Sequence, residues 1–266
     1  MNKIYELIQS DVISLSILTA ALIAARIITV ILMSPSLGGE VVPSQVKIGF
    51  GLTLVIMIFP FVAHTPPPTS FFPYFALLLK EVMVGVVLGF FAGIFGSVQT
   101  AGVLVDTAGG ANMSQLLVPE TKSETTLFAN LYYQLAIVLF FVVGGHRLFI
   151  MALFESFKTV PLVEMPNLSA GLAPFLELTL RVGGGLLKTA FMLAAPVTAA
   201  VFLTEVSLGL LNRVAPTINV YFLALPVKLM LAVGISLLGL TYFSDKVIDL
   251  LAGDAAYFQK LLKLFR

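Results

Sequence analysis

Apolar residues in this chain collect into long runs with few polar interruptions. The runs cover residues 12–33, 48–63, 75–105, 127–143, 172–203 and 221–243. Crossing the hydrocarbon core of a bilayer takes roughly 20 helical residues at about 1.5 Å each. The pattern therefore predicts an all-α membrane protein with about six long, kinked apolar helices in hairpins. The runs at 48–63 and 127–143 are short for a span, whereas 75–105 and 172–203 are long enough to require tilting, kinking or projection from the membrane. The periodicity changes in the tail, residues 246–266. There Val247, Leu250, Leu251, Phe258, Leu261, Leu262 and Phe265 recur near the helical repeat, with Asp249, Lys260 and Lys263 between them. This predicts an amphipathic C-terminal helix suited to a membrane surface, a partner groove or the chain's own bundle.

The connections between runs differ in character. Residues 35–43 form a turn-rich link, and 64–73 contain the consecutive prolines Pro66, Pro67 and Pro68, which favour a stiff extended link. Residues 106–126 are the longest polar insertion, softened by Gly109, Gly110 and Asn112. Long loops of this kind often carry function. Residues 155–174 contain Pro161, Pro166 and Pro174 and are expected to include a short amphipathic piece at 156–163. No internal repeat or soluble domain boundary is evident, so residues 1–266 read as a single domain.

Composition agrees with the pattern and narrows the function classes. Apolar residues make up 59% of the 266 residues, charged residues 11%, and mean hydropathy is +1.04. A soluble domain is about one-quarter charged, so lipid or a wide partner interface must replace water over much of this surface. The net charge of +1 gives no broad attraction to nucleic acid. The chain has no cysteine, which removes disulfides, thiolate metal sites and cysteine nucleophiles. Near the start, Lys3 is offset by Glu6 and Asp11 and no small-residue cleavage site follows, so the first helix is expected to be retained.

Charges inside apolar runs are the candidates for mechanism. They are Arg26, Lys80, Glu81, Arg181, Lys188, Glu205, Arg213 and Lys228. Such groups usually face a bundle interior and pair. Neighbours on a helix do not face one another, so Lys80 and Glu81 are each expected to find partners on other elements. Glu205 and Arg213 are eight residues apart and share a side if the helix continues. Structural ion pairs are favoured over a proton relay, because no acidic pair of the kind used by pumps is present. Gly85, Gly89 and Gly93 recur at four-residue spacing and predict close packing against another helix. Residues 210–228 stand apart, with Asn212, Arg213, Pro216, Asn219, Pro226 and Lys228 between two apolar runs. Each proline removes a backbone donor, so a broken, polar element is expected there.

Enzyme chemistry finds little support. His64 and His146 are distant in sequence and make a poor metal pair, Ser97 has no mid-span histidine, and the carboxylates are scattered. Broken helices with buried charges also suit a secondary transporter for a small solute, although the two halves of the chain show no matching interrupted segments.

The pattern N-R-x-A-P-x-x-N-V-x-F-x-x-x-P-x-K, from Asn212 to Lys228, resembles the signature of the flagellar FliR and virulence SctT family of type III secretion export-gate proteins. Arg26 with Ser34 and Pro35, Glu81 with Gly85 and Gly89, Gln99 leading to Asp106, the glycine-rich loop ending at Pro119, and Gly145 followed by Ser156 and Pro161 are similar as well. The resemblance implies a noncatalytic channel subunit without cofactor or metal in the bacterial inner membrane. It would assemble with FliP/SctR-like and FliQ/SctS-like subunits into a helical, conical gate standing partly above the membrane. An FlhB/SctU-like switch protein and an FlhA/SctV-like export protein would adjoin it, and unfolded substrates would pass through the lumen. It further implies that residues 106–126 plug the closed pore, with Asp106, Gly109, Gly110, Asn112, Met113, Leu116 and Leu117 the residues concerned. Arg26, Glu81, Glu205, Arg213, Pro216, Asn219, Pro226 and Lys228 are expected to serve assembly, with Arg213, Asn219 and Lys228 satisfying backbone groups that the prolines leave open.

Overall fold

Nine α-helices and no strand occur among the residues that the computed structural model describes, namely 11–34, 42–62, 66–91, 93–110, 126–165, 173–217 and 219–264. They are α1 (Asp11–Met33), α2 (Ser44–Val62), α3 (Phe71–Phe91), α4 (Ile94–Gly109), α5 (Leu127–Val143), α6 (Gly145–Thr159), α7 (Ala173–Val214), α8 (Val220–Leu238) and α9 (Leu240–Leu264). The apolar run at 75–105 divides into α3 and α4 around Gly93. Likewise, the run at 221–243 ends α8 at Gly239 and continues into α9. Helix α6 occupies 145–159, so the amphipathic piece expected at 156–163 is instead the end of α6 and a non-helical stretch. Pro161 accounts for this, since the residue before a proline is biased away from the helical region.

Among the described residues, five helices are long and apolar enough to cross a membrane, or six spans if α5 and α6 count as one. The 42 residues of α7 correspond to about 63 Å, twice the hydrocarbon thickness of about 30 Å. It contains Pro196 and continues through Asn212 and Arg213, so the expected break comes later, at a turn containing Pro216 and Thr217.

The chain divides into two compact units. The first comprises Met1–Gly93, His146–Val182 and Gly253–Arg266. Its core is a stripe on α1, Leu22, Ile23, Arg26, Ile27, Val30 and Ile31, buried at helical spacing. Helix α2 presents Gly51, Leu54, Val55 and Ile58 as its buried residues. Helix α3 approaches α1 through its glycines. A Cβ on Gly85 would lie 2.8 Å from Thr29 Cβ and 2.9 Å from the Arg26 carbonyl, and one on Gly89 would lie 2.3 Å from Met33 Cβ. Gly93 falls beyond the end of α3, so the packing stripe consists of Gly85 and Gly89.

The second unit comprises Ile94–Gly145 and Gly183–Ala252. Val98, Ala101, Val105 and Asp106 on α4 and Phe128, Ala129, Tyr132, Ala136 and Phe140 on α5 are buried. Phe95 meets Phe140 edge to face at 5.3 Å, and the Tyr132 hydroxyl shares a 3.0 Å hydrogen bond with Ser236 of α8. Helix α5 stops where Gly144 adopts φ 82, a left-handed cap that places its N–H on the Phe140 and Phe141 carbonyls.

The tightest approach in this unit is at Gly102. A Cβ there would lie 2.4 Å from Ala129 Cα and 2.5 Å from Ala129 N and the Phe128 carbonyl oxygen. Backbone atoms cannot swing aside as a side-chain tip can. Gly102→Ala is expected to destabilise the fold by ~3 kcal/mol, the upper part of the overpacking range. The readout is the thermal midpoint in detergent. Gly234→Ala, where a Cβ meets nothing within 4 Å, is the control and leaves the midpoint unchanged or raised.

Candidate functional site

Two buried polar nodes hold the chain together, one in each unit. In the first, Arg26 lies on the core-facing stripe of α1 and is wholly buried. A guanidinium carries five N–H donors, and a buried donor left unmatched is expensive. All five are matched. Nε donates to Oε2 and Nη2 to Oε1 of Glu81 on α3, the second at 2.9 Å. Nη1 donates to the carbonyl and hydroxyl oxygens of Ser156 at 2.9 and 3.3 Å, and Nη2 to the Val160 carbonyl at 2.8 Å. The Phe157 ring lies 4.2 Å from the guanidinium carbon and adds a cation–π contact.

Lys80, one residue from Glu81, extends the node. Its ammonium sits 2.7 Å from Glu81 Oε1 and donates to the carbonyls of Pro161, Leu162 and Glu164 at 2.7, 2.8 and 3.1 Å. Lys80 and Glu81 thus find the expected partners on other elements, and they also pair with one another, which helical spacing had argued against. Their Cβ atoms diverge on the helix, but the four-carbon lysine stem is long enough to bring Nζ round to the neighbouring carboxylate. The node thus holds two cations and one carboxylate. Carbonyl dipoles meet the remaining positive charge, among them that of Ser156 in the last turn of α6, where a helix carries partial negative charge. Positions 80 and 81 thereby tie α3 and α1 to the end of α6 and the stretch that follows it.

In the second unit Asp106 does the corresponding work with the opposite sign. Thr126 is the N-cap of α5 but makes no side-chain capping bond to it. Asp106, wholly buried on α4, supplies the cap from a distance. Its Oδ1 accepts from Phe128 N–H at 3.1 Å and its Oδ2 from Ala129 N–H at 2.9 Å. Thr126 donates its hydroxyl proton to the same Oδ2. Two orphan donors at a helix start are satisfied, and the carboxylate lies at the positive end of the macrodipole. Asp106 follows Gly102 by one turn, so the residue that allows close approach and the residue that binds the helix end share one face of α4.

Other expected site residues are placed differently. Asp106 and Gly109 belong to helix α4 rather than to the loop, and Gly110 caps that helix with φ 75. Asn112, Met113, Leu116 and Leu117 lie outside the described residues, as does His64. Glu205 pairs with Lys228 across α7 and α8, not with Arg213. Among the described residues, neither Arg213, Asn219 nor Lys228 donates to a backbone carbonyl. Asn219 stands at the N-cap of α8 without a side-chain capping bond. Arg26 and Glu81 are buried, whereas Glu205, Arg213, Pro216, Asn219 and Pro226 are exposed on the chain. The reason is that burial on α7 ends at Val201, with none of 202–214 buried, and that Ala232 is the buried residue of α8. Sequence reasoning gave no role to Gly102, Thr126 or Phe157. The four-residue spacing from Gly102 to Asp106 was the available signal for the first.

Among the described residues no group of three His, Asp or Glu side chains is placed to hold a metal ion. A family model described as bacterial export proteins, family 1, matches residues 17–253. The chain belongs to this family. It is 32% identical over 228 residues to the Yop proteins translocation protein T of Yersinia pestis, covering 85% of each chain. It is also 32% identical over 217 residues to the flagellar biosynthetic protein FliR of Escherichia coli, covering 80% of each. The surface presentation of antigens protein SpaR of Salmonella typhimurium is 29% identical over 232 residues, 87% of this chain and 85% of that one. Membership in this export family makes the chain a structural member of an export apparatus and not an enzyme. With its apolar helices of spanning length, this export protein is a multi-pass membrane protein.

Removing one partner from a buried ion pair strands the other. Arg26→Ala and Glu81→Ala are each expected to destabilise by ~3–5 kcal/mol. The double substitution is expected to fall short of their sum by ~2 kcal/mol. Unfolding in mixed dodecyl sulfate micelles, followed by far-ultraviolet circular dichroism, measures all three, and strict additivity would contradict the node as drawn. Asp106→Ala should lose ~1–2 kcal/mol, the value of an N-cap, in the same assay.

Proposed function

We propose that this chain is a core subunit of a type III secretion export gate, assembled with FliP/SctR-like and FliQ/SctS-like subunits into the channel through which unfolded proteins leave the bacterial inner membrane. The observation that carries the reading, beyond family membership, is the surface of α7 and α8. Leu210, Val214, Tyr221, Phe222 and Met230 are 61%, 83%, 60%, 71% and 76% exposed. Helix α7 is about twice as long as a bilayer core is thick. Part of this apolar surface must then lie beyond lipid, where only protein can cover it. Exposed Glu205, Arg213 and Asn219 on the same pair of helices give that cover polar points of register. We place the complex partly on the periplasmic side, as the family resemblance implies; the length of α7 supports projection beyond the bilayer without choosing the side. The FlhB/SctU-like and FlhA/SctV-like proteins would adjoin the base of the assembly.

Residues 106–126 are proposed as the pore plug. Support comes from the described flanks: Asp106 on α4 and Thr126, Phe128 and Ala129 at the start of α5 are bonded together, so the segment between them is closed at its base. Apolar residues Met113, Leu116, Leu117 and Val118 would exclude water and ions from a constriction.

The decisive experiment is purification of tagged chain from its native cell in mild detergent, with mass spectrometry of the proteins retained. FliP/SctR-like and FliQ/SctS-like subunits are expected in stable complex; a folded chain recovered alone would contradict the proposal. In that complex Arg213→Ala is expected to reduce subunit recovery several-fold, by removing an exposed cation that a neighbour would engage. Deletion of residues 109–117 is expected to make assembled complexes conduct ions in planar bilayers. Unchanged conductance counts against the plug.

A further inference from the structure

A carboxylate one helical turn from a glycine receives another helix twice in this fold. Glu81 and Gly85 on α3 receive α1: a Cβ on Gly85 would strike Thr29 and the Arg26 carbonyl, and Arg26 donates to Glu81. Gly102 and Asp106 on α4 receive the start of α5, whose Phe128 and Ala129 N–H groups donate to Asp106. In each case the glycine lets a backbone come close. The carboxylate then bonds what the close helix brings.

Glu205 and Gly209 on α7 repeat the spacing, and Arg213 extends it by one more turn. The three positions fall within about 80° of one another around a helix of 3.6 residues per turn. All three are exposed. A Cβ on Gly209 would meet nothing within 4 Å. Lys228 engages Oε1 of Glu205, and Oε2 has no donor among the described residues. Glu81 holds two cations on one carboxylate, so Glu205 is a half-filled version of the same arrangement. Arg213 forms no ion pair among the described residues. Exposed Phe202, Val206 and Leu210 surround these charges with apolar surface. Asp249 and Gly253 on α9 share the spacing, but Asp249 lies in a polar stretch with Asp245 and pairs locally with Lys246.

We propose that the face of α7 marked by Glu205, Gly209 and Arg213 receives a helix of another subunit. That helix crosses at Gly209, brings a lysine or arginine to Glu205 and presents an aspartate or glutamate to Arg213. Its two charges stand about 12 Å apart along its axis, the rise of eight residues. A second copy of this chain does not fit. Helix α7 is of spanning length and composition, and copies inserted the same way run it in the same direction. Pairing at Gly209 would then set Glu205 against Glu205 and Arg213 against Arg213, which like-charge repulsion opposes. The proposal rests on the reading of this chain as a gate subunit and adds the chemistry of the neighbour.

The test compares complexes purified from native cells through a tag on the full chain. Gly209→Leu is expected to lower recovery of at least one FliP/SctR-like or FliQ/SctS-like subunit about ten-fold or more. The thermal midpoint of the chain itself, in detergent, should not fall, since the added Cβ meets no atom of its own chain. Glu205→Lys should lower recovery as far, by repelling the neighbour's cation. Lys228→Met breaks the same internal pair but keeps the carboxylate, and should hold recovery within about two-fold of the parent. Equal losses in Glu205→Lys and Lys228→Met would assign the pair to α7 and α8 alone and overturn the proposal. Full recovery with Gly209→Leu would overturn it too. So would two differently tagged copies of this chain that are retained together and separated by Gly209→Leu. A parent chain recovered alone sinks the gate reading and this proposal with it; a parent complex indifferent to the variants sinks this proposal alone.

Discussion

A guanidinium sealed among helices, where water cannot reach it, must find protein acceptors for every donor it carries. That requirement at Arg26 organises the first unit. Two of its bonds run to a carboxylate on α3 and three to the end of α6 and the residue beyond it. No two elements could meet the demand alone. The carboxylate supplies charge and one plane of bonding, while the helix end supplies the Ser156 carbonyl, which also accepts from Val160 N–H, and the Val160 carbonyl beyond it. Lys80 repeats the arrangement on the next stretch of chain, gathering three more carbonyls. A segment interrupted by proline, which cannot satisfy itself as helix, is thereby held by cations arriving from α1 and α3.

The second unit solves the complementary problem. A helix start offers orphan N–H groups rather than carbonyls, so the matching group must be an anion. Asp106 is placed to serve because Gly102, one turn earlier, lets α4 come within contact of the α5 backbone. The residue does not act as a local cap, as Thr126 at the N-cap would; it couples the register of one helix to the beginning of another. Both nodes therefore bind helix termini with charge supplied from elsewhere in the fold, and both derive their strength from the absence of competing water.

Element type and approximate extent were legible in the sequence because apolar runs of spanning length have few other uses. The all-helical class and the close packing of Gly85 and Gly89 follow directly from run length and four-residue spacing. Partner choice was less legible. The chain pattern identified Arg26, Lys80 and Glu81 as charges in need of partners, yet nothing in it marks the backbone carbonyls of residues 156–164, which provide most of the acceptors. Backbone groups are invisible to residue identity. The same limit applies to Asp106, whose neighbours in sequence suggested a loop; its helix and its capping role emerge from contacts more than twenty residues away. Helical spacing put Glu205 and Arg213 on one side of α7 but did not mark Lys228 on α8 as the ion-pair partner of Glu205.

The placement of the few charges separates two uses. In the node of the first unit Arg26, Lys80 and Glu81 are buried and saturated, so they fix the fold and offer nothing outward. On α7, Glu205 and Arg213 remain exposed, amid Phe202, Leu203, Val206 and Leu210, residues that water does not favour. Lys228 is largely covered while its partner Glu205 is not, with side chains 11% and 60% exposed. An ion pair so half-sheltered suits neither bulk water, which would screen it, nor hydrocarbon, which would penalise its open oxygen. A neighbouring subunit of the kind proposed would supply both apolar cover and a matching donor. The polarity of this chain is thus apportioned between groups that the fold saturates and groups that it leaves open.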